Sequence, residues 1–200
     1  MVVPPWASDV PAGTSDAQGG TTTNQKKGKK MSTKIGIIMG SASDIPVVEK
    51  GTPTLEELGI EFEVAIASAH RTPKDVENYA KGARARGIKA LVAVAGLSAA
   101  LPGVVAAATT LPVIGVPVKG GAIDGMDALL SIAQMPPGVP AASVGLNAMK
   151  NACLLAARIV AASDDKLTTK LEAYAAKEAQ KVRDSRKKLE NLPAAPAEAY

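Results

Sequence analysis

Two short polar turns carry the residue types able to do chemistry. The first, GSASD at 40–44, offers Gly40, Ser41, Ser43 and Asp44; the second, SAHRTP at 68–73, offers Ser68, Arg71 and His70, the one histidine of the chain. Glycine lets a backbone approach a ligand closely, and free amides beside hydroxyls bind anions, so the first turn suits a phosphate. Asp44 is equally placed to cap the helix that follows or to accept hydrogen bonds from a ribose diol. Arg71 can grip a phosphate through two parallel hydrogen bonds, and histidine is the side chain that gains and loses a proton near neutral pH. Thr72 and Pro73 read as a helix cap followed by a first-turn proline. Each turn alone also reads as an ordinary capped turn, and a lone histidine as a structural one. The elements that position them separate the two readings.

From Lys34 onward, strand and helix patterns alternate. Short runs rich in β-branched and other apolar residues predict strands at 34–39, 61–67, 88–94, 112–116 and 140–144. The intervals predict helices near 44–58, 73–86, 102–110, 125–133 and 147–162. Short connections then require parallel strands with right-handed crossovers: an α/β, three-layer, flavodoxin-like doubly wound sheet of five strands, in the order 2-1-3-4-5. Ligands of such sheets bind outside the carboxyl ends of the strands. GSASD follows the first strand, SAHRTP the second, and AGLSAALPG at 95–103 the third, so all three share one edge. That placement favours function for His70 and Arg71.

The rest of the chain sets limits. Its 200 residues are 46% hydrophobic, 21% charged and only 2% aromatic, which describes one domain with an aliphatic core. A net charge of +4 raises nucleic acid as a partner, but the basic residues concentrate in QKKGKK at 25–30 and in the C-terminal segment, which reads as solvated tails. No apolar run has the roughly 20 residues of a membrane span. With a single cysteine, Cys153, no internal disulfide can form, and a cytoplasmic setting is expected; Cys153 itself sits in the apolar stretch NACLLAARIV and reads as core. Residues 1–33 lack a sustained period and the pattern of a signal peptide, so they are expected to be a disordered extension, with Met31 as an alternative start. Residues 164–190 predict one more helix, with Leu167, Leu171, Tyr174, Ala175, Val182 and Leu189 on its apolar stripe, lying across its own domain or a neighbouring subunit. The resulting division is an extension at 1–33, a catalytic domain at 34–163, and a C-terminal helix and tail at 164–200.

GSASD, SAHRTP, LPVIGVPV at 111–118, GMDALLSIAQMPPGVP at 125–140 and NACLLAARIV at 151–160, in that order, resemble the 5-(carboxyamino)imidazole ribonucleotide mutase family of purine biosynthesis. The family is also known as the catalytic subunit of phosphoribosylaminoimidazole carboxylase. The resemblance implies an isomerase that moves a carboxylate from an exocyclic nitrogen to ring carbon four, with no cofactor and no metal, working as a homo-octamer on a small ribonucleotide and not on nucleic acid or membrane. It assigns the ribose phosphate to Ser41, Ser43, Ser68 and Arg71, the ribose diol to Asp44, and proton transfer to His70. Gly96, Ser98 and the loop MPPGVP at 135–140 become walls of the pocket.

One segment departs from this pattern. The mutase branch carries A-G-G-A-A-H-L-P-G after the third strand, whereas this chain has Ala100 in place of that second histidine and Ser98 two residues before it. Those residues resemble the branch that carboxylates aminoimidazole ribonucleotide directly with carbon dioxide. Arg71 and VPVKGGAIDG at 116–125 follow the mutase branch instead. A rival from another class is a flavodoxin-like module that binds a nucleotide without turning it over.

Overall fold

The apolar runs between glycine-containing and polar turns form the strands of one parallel sheet in this computed structural model, which describes residues 34–199. The disordered extension expected at 1–33 lies outside the described residues. The strands are β1 (Lys34–Met39), β2 (Glu61–Ile66), β3 (Ile88–Gly96), β4 (Val113–Val118) and β5 (Ala142–Ser143), in the order β2-β1-β3-β4-β5. Every neighbouring pair is parallel. The expected α/β doubly wound sheet is therefore present. β5 is shorter than expected: Pro140, at the start of the expected strand, has no N–H to donate to a ladder.

Alternation along β1 sorts its side chains between two cores. Ile35, Ile37 and Met39 face α1 (Ile45–Val48), α2 (Thr52–Leu58) and α6 (Met149–Ala161), while Ile38 faces α3 (Pro73–Gly82), α4 (Leu101–Ala107) and α5 (Met126–Ala133). Cys153 is fully buried in the first of these cores, as expected, and burial pushes its thiol up to about 12.

The single helix expected over 44–58 is two. α1 stops at Val48 and α2 restarts at Thr52, because Gly51 sits where α6 crosses: a Cβ there would fall 2.5 Å from Met149 Cγ. Pro53, in the first turn of α2, needs no donor and marks the restart. α3 likewise ends at Gly82 rather than 86, since Arg86 turns back to donate to Glu63 Oε1 at 2.8 Å and to the Tyr79 carbonyl at 3.0 Å.

α7 (Asp165–Ser185) packs on its own domain. Asp164 caps it by accepting from the amides of Lys166 and Leu167. Leu167 and Tyr174 are buried, Lys170 Nζ donates to the Leu58 carbonyl at 2.7 Å, and Lys177 pairs with Glu57 at 2.6 Å. The rest of the expected stripe is used unevenly: Ala175 is exposed, Val182 is 64% exposed and Leu189 is half-buried. Among the described residues no helix is long and apolar enough to cross a membrane.

Candidate active site

Parallel register brings the exits of β1 to β4 to one edge, where they line a cavity of about 750 Å³. Ser41, Ser43, Asp44, Ser68, His70, Arg71, Gly96 and Ser98 all line it, so these eight candidate site residues meet in one place. The MPPGVP loop does not contribute to this lining within the single chain. Among the described residues, no three His, Cys, Asp or Glu side chains gather as a metal would require.

The first turn is shaped by its own serine. Gly40 N–H donates to the Val94 carbonyl at 3.2 Å, tying the exit of β1 to β3. Ser41 then opens a single 3-10 turn over Ala42–Asp44, its hydroxyl accepting from the Ser43 amide. Asp44 makes no side-chain capping bond to α1, which corrects the cap reading. Burial pushes this carboxyl above the usual range, opposed by hydrogen bonds from the Ser41 backbone and the Ser43 side chain.

The second turn closes on itself. Thr72 does not cap α3 with its side chain: its hydroxyl accepts from the Ser68 amide at 2.9 Å and donates back to the Ser68 carbonyl at 3.4 Å. Pro73 opens the helix as expected. Ser68 Oγ accepts from both the backbone amide and Nε of Arg71 at 3.3 Å, and Arg71 Nη2 donates to the Gly40 carbonyl at 3.1 Å. Arg71 thus joins the two turns while its side chain stays on the cavity. His70 is exposed at the same rim.

The inner wall comes from β3 and β4. Gly96 pairs with Val118 across the ladder, and Leu97, Ala100, Lys119, Gly120 and Gly121 also line the cavity. Lys119 was missed in the sequence, where VPVKGGAIDG served only as a family signature. The rule that found the other turns applies to it equally, since it follows β4 at the same edge.

The family model for AIR carboxylase matches residues 34–181. The chain belongs to the AIR carboxylase family. Among its relatives, N5-carboxyaminoimidazole ribonucleotide mutase of Pyrococcus horikoshii is 48% identical over 79% of this chain and 89% of its own length. The mutase of the same description from Thermotoga maritima is 47% identical over 80% of this chain and 93% of its own. Phosphoribosylaminoimidazole carboxylase of Saccharomyces cerevisiae is 52% identical over 79% of this chain, but the chain spans only 28% of that protein. The crystal structure of Treponema denticola PurE superposes with a TM-score of 0.72 at 34% identity, covering 80% of this chain and 99% of that one. As the matched segment runs to residue 181, the AIR carboxylase family model takes in most of α7 as well as the sheet.

Proposed function

We infer that this member of the AIR carboxylase family is a 5-(carboxyamino)imidazole ribonucleotide mutase, an isomerase of purine biosynthesis that yields 5-amino-1-(5-phosphoribosyl)imidazole-4-carboxylate. The observation that carries the reading is the single cavity at the strand exits, lined by His70, Arg71 and the Ser41–Asp44 turn, in a chain that covers nearly the whole length of mutase relatives. Arg71 with Ser41, Ser43 and Ser68 binds the ribose phosphate, Asp44 accepts from the ribose diol, and Gly96 and Ser98 flank the ring.

The proton inventory explains why one acid/base suffices. His70 gives a proton to the exocyclic nitrogen as the nitrogen–carbon bond breaks, leaving carbon dioxide and a neutral amine. Ring carbon four attacks the carbon dioxide with its π electrons, forming the new carbon–carbon bond, and His70 removes the proton left on that carbon. Nothing is oxidised or reduced, and no cofactor or metal enters the sequence. For the carbon dioxide to stay in place between the two halves, the bound ribonucleotide must itself exclude water from the cavity.

Residues 34–163 form the catalytic unit in this proposal, with 164–200 as an added brace. The molecule works as a homo-octamer: Val64 and Ile66 on β2 and Leu130 on α5 are about half exposed in the single chain, apolar surface that further copies would cover. A single buried cysteine fits the reducing cytoplasm. Sedimentation at micromolar concentration is expected to give eight times the chain mass, and a monomer would overturn the assembly.

Direct carboxylation of aminoimidazole ribonucleotide is the second reading, favoured by Ala100 at the cavity and by the identity to the yeast carboxylase. Turnover on both substrates with trace labelled bicarbonate separates them. The mutase converts the carboxyamino ribonucleotide at low bicarbonate without taking up label. Rapid incorporation into aminoimidazole ribonucleotide, with little conversion of the carboxyamino substrate, would overturn the mutase. Binding of either ribonucleotide by thermal shift, without turnover of either, would make the chain a nucleotide-binding module.

A further inference from the structure

Lys119 has no part in the roles assigned above, yet it brings a second long cationic side chain to the cavity. Among the described residues that line it, Arg71 and Lys119 are the lysine and arginine side chains, and they leave from different strands. Arg71 follows β2 and is already bonded to Ser68 and Gly40, across the exits of β2 and β1. Lys119 follows β4, two strands further across the sheet from β1. With strands about 4.8 Å apart, the exits of β2 and β4 are separated by roughly 14 Å. One cation therefore serves the outer end of the cavity and the other serves the inner end.

The backbone around Lys119 is held with unusual care. Its amide donates to Asn147 Oδ1 at 2.9 Å, and the Asn147 amide donates to the Pro117 carbonyl at 2.8 Å, so one residue of the β5–α6 connection grips the exit of β4 from both sides. Gly125, at φ 88°, lies so close that a Cβ would fall 2.9 Å from Lys119 Cα and 3.0 Å from the Val118 carbonyl oxygen. The described non-glycine residues with left-handed φ are Leu97, Asp124 and Asn147, and all three border this end. Leu97 lines the cavity and reaches over Gly121, Asp124 faces Lys119, and Asn147 holds its backbone. For a leucine such a conformation costs of order 1 kcal/mol and persists only where the surroundings enforce it.

The side chain itself is uncommitted. Lys119 Nζ lies 3.8 Å from Asp124 Oδ2, beyond hydrogen-bonding distance, and both groups are more than half exposed, so solvent screens the pair. A firmly held backbone carrying a loosely engaged ammonium is suited to an incoming anion.

We propose that Lys119 binds the carboxylate of the substrate and product, the second negative charge of a ligand whose phosphate is taken by Arg71. The proposal rests on the mutase reading above and deepens it. Carbon dioxide carries no charge, so the ammonium favours the carboxylated ribonucleotides at both ends of the reaction over the intermediate between them. Ala100 brings no side-chain donor to this end, which leaves Lys119 as the charged donor there. Its contribution is to selectivity for the carboxylated ligand, and His70 keeps the proton chemistry.

The test measures binding of two ligands to the full chain and to its Lys119→Met and Lys119→Arg variants, with melting curves as a check on folding. The ligands are the 4-carboxylate product and uncarboxylated aminoimidazole ribonucleotide. Lys119→Met is expected to weaken the carboxylate by about 10-fold or more, the range of a charge-assisted hydrogen bond, and to leave the uncarboxylated ligand within about 2-fold. Lys119→Arg, which keeps the charge, is expected to restore most of the difference. Equal loss on both ligands, or no loss on either, would overturn the assignment of Lys119. Failure of the unaltered chain to bind either ribonucleotide would overturn the mutase reading instead.

Discussion

Arg71 donates to the Gly40 carbonyl at 3.1 Å and, through Nε, to Ser68 Oγ at 3.3 Å, so one guanidinium spans the turns after β1 and β2. These bonds preorganise the guanidinium at the cavity before any phosphate arrives. Arg71→Ala removes both the latch and the anion contact. Substrate binding is expected to weaken by about 1.5–3 kcal/mol, read as a rise in KM larger than the fall in kcat.

His70→Asn keeps size and some hydrogen bonding but removes the titratable proton. The fall in kcat is expected to be about 100-fold or more with ribonucleotide binding retained, and stopped-flow turnover beside equilibrium binding checks it. Full activity in this variant would remove His70 from the mechanism.

Asp44→Asn is expected to separate stability from binding. Burial raises the folded-state value of this carboxyl above its unfolded value, so the ionised form penalises the fold. The penalty is absent below the unfolded value and sets in as pH rises through the folded one. At pH 7 the free variant is expected to melt higher than the parent, with no gain below the unfolded value. Its affinity for the ribonucleotide falls, because an amide replaces the diol acceptor.

Cys153, fully buried with its thiol pushed up to about 12, is expected to resist alkylation in the native protein and to react at once in denaturant. Mass spectrometry after iodoacetamide treatment at pH 8 reads the difference.

Tyr174→Ala uncovers the face where α7 meets α2 and α6, with loss of the ring beneath Lys150 Nζ at 5.4 Å. A destabilisation of about 3 kcal/mol is expected by urea titration. Val182→Ala, on the exposed half of the same stripe, is expected to change little.

The strands, their order and the polar turns were legible because a short continuous apolar run, a glycine turn and the edge rule all point the same way at Lys34–Asp44. The broken helix at Gly51 was not, since its cause is Met149, nearly a hundred residues away and invisible to a local pattern. Thr72 and Asp44 have the residue types of caps, but Ser68 and burial claim their side chains first. α7 was read with the right face and with too long a use of it, because a stripe shows what could be buried and not where the partner surface ends. Lys119 escaped notice because a lone lysine in a glycine-rich turn has no period; only the meeting of four strand exits gives it a site.

The packing of α6 and α7 against α2 has a consequence for how the chain is made. Leu55 and Leu58 leave the ribosome early, but Met149 and Tyr174, which share their core, are added a hundred residues later. Until then the sheet can pair β1, β2 and β3 while one of its faces stays open. Completion of that layer therefore waits on the last quarter of the chain, and a stalled or prematurely ended product would present this unsealed apolar face to chaperones and proteases.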